Sequence, residues 1–180
     1  PSGLYADKNV SIKRIPLVPV HNEMKKDETF DADVDSIYQA LKGILKDIDV
    51  VITHDIVYQP AAIKHNIAAR KIAKEFPQIK WLHWIHSATP PTTIANLKPY
   101  FGDIYSKILE ETFPNSTYVF FNHYSIPSIA KNFNVSESQV SVVHHPSDLQ
   151  EIYGLTDDVY KFVTQKKIHD ADAICVYPIR

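Results

Sequence analysis

Glycine is scarce in this chain: 180 residues hold four glycines against twelve prolines. That shortage excludes mechanisms built on a glycine loop, in which backbone N–H groups must approach a phosphate closely. Neither G-x-G-x-x-G nor G-x-x-x-x-G-K-[ST] occurs. There is no G-x-S-x-G either, so Ser87 has no glycine beside it to permit the strained turn of a Ser-His-Asp hydrolase. Cys175 is the only cysteine, which excludes an intrachain disulfide and a cysteine-based zinc site and fits a reducing, cytoplasmic setting. No apolar run approaches the roughly 20 residues that span a bilayer, and no signal-peptide pattern opens the chain. The net charge of -2 offers no strongly basic face, so nucleic acid is not an expected partner. Nothing in the charge pattern marks a membrane surface.

What the chain does contain is a regular alternation of elements. Residues 10–20 read as extended, with Pro16 and Pro19 confining them to an edge strand or connector. Val34, Ile37, Tyr38, Leu41, Ile44 and Leu45 then fall on one 3.6-period stripe, with aspartates at its N-terminal end, and predict a helix. The β-branched run 48–53 predicts a strand. A helix over 60–76 follows, with proline in its first turn and Ala62, Ala69, Ala73 and Phe76 on one face. Strands are expected at 79–85, 116–121, 140–143 and 173–177. Helices are expected at 103–112, 126–133, 149–153 and 157–169, the last capped by Thr156. Short connections between alternating strands and helices imply an α/β fold: a Rossmann-like parallel sheet with helices on both faces.

Ligands of such sheets bind outside the carboxyl ends of the strands. Polar residues collect there: Thr53-His54-Asp55, His86-Ser87-Ala88-Thr89, Asn122-His123-Tyr124, and His144-His145. Four successive strands thus deliver a histidine to one edge, which predicts a polar cleft. A histidine-rich metal-dependent hydrolase is one reading of it. No H-E-x-x-H is present, however, and His83 and His86, three apart on a strand, point to opposite faces and cannot chelate one ion without a bend. A non-catalytic α/β binding module is another reading. Trp81, Trp84, Tyr100, Phe101 and Tyr105 read as core residues or as rings for stacking on sugars or lipids.

The phrases Asp49-Val50-Val51-Ile52-Thr53-His54-Asp55, Trp84-Ile85-His86-Ser87 and Val142-Val143-His144-His145-Pro146-Ser147-Asp148 resemble retaining glycosyltransferases of the GT-B fold, the glycogen-synthase and sucrose-synthase type. The resemblance covers residues 47–180, and its specificity lies in the order and spacing of the phrases. It implies an incomplete GT-B N-terminal, acceptor-side domain with its linker helix over residues 1–170. Residues 171–180 would open a nucleotide-sugar domain that continues in cis. It also implies transfer of a sugar, with retention, from a nucleotide-sugar donor to a sugar, lipid or protein acceptor. No metal or other cofactor is required.

Carried over residue by residue, the resemblance makes His86 the catalytic candidate near the anomeric centre. It assigns His54, Asp55, Ser87, Thr89, Asn122 and His123 to acceptor or sugar binding, and Arg180 to the donor diphosphate. His144, His145 and Asp148 match the loop between the domains. The chain departs from the family where the opening glycine-rich loop, the lysine after the arginine and the paired-glutamate motif would stand. Pro178 also replaces the small residue usual before the arginine. The chain alone is therefore expected to have no turnover.

Overall fold

The computed structural model describes residues 11, 13–17, 28–87, 103–145, 149–152 and 154–173. They fall into two compact units, residues 1–144 and 145–180.

In the first unit, helix α1 (Phe30–Leu45) carries the expected stripe. Phe30, Val34 and Ile37 are fully buried, and Tyr38, Leu41 and Leu45 pack partly against the same core. Strand β1 (Val50–His54) follows, then a 3-10 turn at Pro60–Ala62 leading into α2 (Ile63–Glu75). Pro60 sits where its missing N–H removes no helical bond. Helix α2 lies against α1. Lys64 pairs with Asp33, Lys71 with Asp35, and Glu75 with both Lys42 and the Tyr38 hydroxyl. Exposed ion pairs of this kind contribute a few tenths of a kcal/mol each, up to about 1. Burial of a single Ile37-sized side chain contributes about 1.5–3 kcal/mol, so the apolar stripe decides the packing.

Strand β2 (Lys80–Trp84), helix α3 (Ile104–Glu110), strand β3 (Ser116–Phe120), helix α4 (Ile126–Asn132) and strand β4 (Val140–Val142) complete the unit. The strands form one parallel sheet in chain order, β1-β2-β3-β4. Observed and expected elements agree to within a few residues at each end.

The sheet order bears on the expected placement of the helices. Right-handed crossovers that always step the same way across a sheet place their helices on one face. Burial alternates accordingly. Thr53, Trp81, His83, Tyr118 and Val140 are buried on one side, while Val50 is 47% and Ile52 55% exposed on the other. Leu82, Trp84 and Thr117 on that second side are half-buried, and Val119, the register partner of Trp84 there, is 4% exposed. Among the described residues the helices thus cover one face of the sheet, where the sequence suggested both.

The second unit contains helix α5 (Leu149–Ile152) and helix α6 (Asp157–Gln165). Thr156 caps α6 as expected, its hydroxyl accepting the Val159 N–H at 3.5 Å. Val159 and Phe162 remain exposed on it. The boundary expected at residue 170 falls inside this unit, and the strand expected at 173–177 lies, but for Ala173, outside the described residues. No helix among the described residues is long and apolar enough to cross a membrane.

Candidate functional site

Strand β1 ends at His54, and the chain turns sharply at Asp55, whose φ is +56. That left-handed conformation is disfavoured for side chains in general but tolerated by aspartate, whose short carboxylate can bond locally. Here it does so with one oxygen. Asp55 Oδ1 accepts the Tyr58 hydroxyl at 2.6 Å and the backbone N–H of His86 at 2.9 Å. The Asp55 backbone also joins the end of β1 to β2, its N–H donating to the Trp84 carbonyl at 3.1 Å. Burial, and then the neighbouring Asp55 carboxylate, push the Tyr58 hydroxyl far above its usual range, so it remains a donor; a backbone contact from Ser87 opposes this.

The turn is held from below by α2. Asn66, buried, donates from Nδ2 to the Val57 carbonyl at 3.0 Å and accepts Arg70 Nε on its own Oδ1 at 2.9 Å. Arg70 is 5% exposed; it donates to the Glu111 carbonyl at 2.7 Å and lies over the Phe113 ring at 4.9 Å. Burial lowers its pKa, against the pull of Tyr118 and Glu111. Ala69 and Ala73 of this helix, and Ala62 in the turn before it, are buried. The two polar residues set among them were not anticipated. Their i, i+4 spacing was the only signal available, and it is equally common on solvated faces.

Of the candidate residues, the structure brings His54, Asp55 and His86 together. His54 Nδ1 and His86 Nε2 lie 3.0 Å apart. Their ring centroids are 5.3 Å apart and their planes differ by 19°. That separation matches an in-line N···N contact with one ring radius at each end, so the two imidazoles lie edge to edge in nearly one plane. One ring must supply the N–H and the other the lone pair. Trp84, the register partner of His54, adds a third nearly parallel ring at 6.1 Å and 22°. Both histidines are exposed and Trp84 is half-buried.

Farther along the same edge stand Asn122, His123 and His144. Asn122 Oδ1 caps the turn into α4 by accepting the Ser125 N–H at 3.0 Å, so that oxygen is engaged locally. His144 Nδ1 is 2.8 Å from the Phe121 carbonyl. A carbonyl only accepts, which fixes the proton on Nδ1 and leaves Nε2 an acceptor in the neutral ring. The rings of His123 and His144 meet edge to face at 6.0 Å. Ser87 and His145 are exposed. Thr89, Tyr100, Phe101, Asp148 and Arg180 lie outside the described residues.

His83 is on the other side of the sheet from His86, fully buried, with Nδ1 2.8 Å from Thr53 Oγ1. Desolvation, and secondarily the Arg70 charge, hold its pKa down to about 3, so it is neutral at physiological pH. The two histidines three apart thus diverge as strand alternation requires. Trp81 is core, packed on Phe113. Among the described residues, no group of three or more His, Cys, Asp or Glu side chains is arranged to hold a metal ion.

Comparison of the chain with protein-family models, with curated proteins and with solved structures finds no match in any of the three.

Proposed function

We propose that this chain is the acceptor-side part of a retaining GT-B glycosyltransferase, which moves a glycosyl group from a nucleotide sugar to an acceptor. The observation that carries this reading is the convergence of His54, Asp55 and His86 at the carboxyl ends of two adjacent parallel strands, with the His86 backbone held by the Asp55 carboxylate at 2.9 Å. An open α/β sheet presents its ligand site at that edge. The residues there are those that the order of phrases along the chain assigns to the sugar.

In this reading His86 faces the donor sugar. Its imidazole hydrogen-bonds a sugar hydroxyl or the charge developing on the leaving phosphate. Asp55 is a positioning residue that fixes where the His86 backbone sits. His54 supports the His86 ring through the shared proton and meets the acceptor side. Ser87 and Thr89 have the role of meeting acceptor or sugar hydroxyls, and Asn122 and His123 extend the edge. Arg180 grips the donor diphosphate with a two-pronged guanidinium. The reading assigns the nucleotide pocket to a separate nucleotide-sugar domain.

The test is sugar transfer by the full-length parent, assayed as nucleotide released from a nucleotide-sugar panel. His86→Ala is expected to reduce turnover by about 100-fold or more, the scale of losing one preorganised electrostatic contact. Unchanged transfer in that variant, or transfer by the isolated chain, would overturn the assignment.

A further inference from the structure

We propose that Trp84, together with His54 and His86, forms a stacking shelf for a saccharide, so that the acceptor is a carbohydrate rather than a lipid or a protein side chain. The inference deepens the glycosyltransferase reading and rests on it for the word acceptor; the carbohydrate site itself stands on geometry alone.

Three observations carry it. First, the three rings lie nearly parallel at one place: His54 and His86 meet edge to edge at 19°, and Trp84 lies within 22° of His54 with ring centroids 6.1 Å apart. All three belong to the sheet face that the described helices leave open, at its carboxyl edge, and Ile52 and Leu82 continue that face behind them. Second, the surface is amphipathic in the way a pyranose is. One face of a sugar ring presents C–H bonds, apolar and slightly positive, which match the negative face of an indole. Its hydroxyls project around the rim and need partners that both donate and accept.

Third, the histidine pair supplies such a partner. His54 Nδ1 shares one proton with His86 Nε2 at 3.0 Å. If His54 gives that proton, its Nε2 is an acceptor; if His86 gives it, His54 Nε2 carries a hydrogen and donates. The outer nitrogen of His54 thus meets a hydroxyl in either role, through a tautomer change of both rings. As the shared proton crosses the contact, His54 Nε2 takes a proton from the hydroxyl or solvent and His86 Nδ1 releases one to solvent, and both rings stay neutral. A lipid chain gains nothing from a switchable polar rim. A protein hydroxyl presents no ring to stack.

The contrast between the two tryptophans provides an internal control, because Trp81 is 1% exposed on the opposite, covered face. The experiment records the two indole N–H resonances of the isotopically labelled chain while methyl glycosides of glucose, galactose, mannose and N-acetylglucosamine are added one at a time. At least one glycoside is expected to shift the Trp84 resonance and leave Trp81 in place. Trp84→Ala and His54→Ala, checked for folding by the unmoved Trp81 resonance, should each weaken that glycoside by about tenfold, and Trp84→Tyr should recover part of the loss. No shift with any glycoside overturns the proposal, as does a shift that survives unchanged in Trp84→Ala when followed on the His54 ring. Uridine is the competing probe: stacking of uridine with no glycoside response makes the shelf a base platform and also overturns it. Failure here is separable from failure of the glycosyltransferase reading. Glycosides that bind at Trp84 in a parent with no transferase activity leave the carbohydrate site standing. Transfer by a parent whose chain ignores every glycoside leaves the enzyme standing without it.

Discussion

The Asp55 carboxylate reaches across from the end of β1 to accept the backbone N–H of His86 at 2.9 Å, while the Asp55 backbone N–H bonds the Trp84 carbonyl at 3.1 Å. One residue in a left-handed conformation thereby ties two strand ends together on both sides of Ile85, which is itself fully buried. The position of the His86 main chain is set before any ligand arrives. Backbone strain of this kind costs of order 1–3 kcal/mol and persists only where the surroundings over-determine it; here Tyr58 and His86 both bond the carboxylate.

Removing that carboxylate separates the contributions. Asp55→Ala loses two hydrogen bonds to a charged acceptor and places a β-carbon without local bonding at φ +56. The expected cost is about 2–4 kcal/mol in urea denaturation. Asp55→Asn keeps both an acceptor oxygen and tolerance of the conformation, so about 1 kcal/mol is expected. The amide resonance of His86 should move in both variants. If it moves in neither, the carboxylate is not what positions it.

A second prediction concerns the proton between His54 and His86. At neutral pH, nitrogen-15 spectra should show one protonated and one unprotonated nitrogen facing each other across the 3.0 Å gap, with a scalar coupling through the hydrogen bond. His54→Phe keeps a ring against Trp84 and removes the coupling. Two facing nitrogens of the same protonation state would exclude the shared proton.

The element order was legible because each signal is local: the helical stripe on α1, the β-branched run of β1, the proline in the turn that opens α2. That His54 and His86 reach one edge was legible too, since both follow a strand in a parallel sheet. Strand alternation likewise separated His83 from His86. That the described helices share one face of the sheet was not legible, because their placement depends on the order of strands in space, and alternation of helix and strand does not encode that order. Asp55 read as a ligand-binding residue. Its clamp on His86, 31 positions away, depends on the register between β1 and β2. Asn66 and Arg70 were hidden for the same reason: their partners at Val57 and Glu111 are fixed by packing, and nothing near them in sequence marks them as buried.

That buried pair yields an asymmetric prediction. Arg70→Met leaves the Asn66 oxygen and the Glu111 carbonyl with one partner fewer, and the Glu111 carboxylate, half-exposed and paired with Lys74, is not stranded. The expected loss is about 1–3 kcal/mol. Asn66→Leu instead leaves a buried guanidinium short of a partner and frees the Val57 carbonyl, so its loss should be larger, about 3 kcal/mol or more. The double variant should lose less than the sum. Strict additivity in denaturant titrations would mean that the two side chains do not act as a unit.

The pH dependence of stability follows from His83. Its folded pKa, about 3, lies below the ordinary histidine value near 6.5, because burial disfavours the charged ring. Between those values the unfolded chain binds a proton that the folded chain does not. The contribution of this group is therefore fully present above about pH 6.5 and is lost as pH falls, at about 1.4 kcal/mol per pH unit. Half-buried His65, also shifted down by desolvation, adds to the same slope. Unfolding measured between about pH 5 and 6.5 isolates the histidines, since carboxylates titrate mostly below that window. The double variant Thr53→Val, His83→Leu removes both hydrogen-bonding partners together, and His83 Nε2 has no partner among the described residues to be stranded. Its stability at neutral pH should change little, because replacing both members of a buried polar pair by apolar groups is close to neutral. Its slope between about pH 5 and 6.5 should fall by most of 1.4 kcal/mol per unit, leaving the part due to His65. An unchanged slope would show that His83 takes up a proton in the folded chain, which its position among Trp81, Phe113 and Tyr118 argues against.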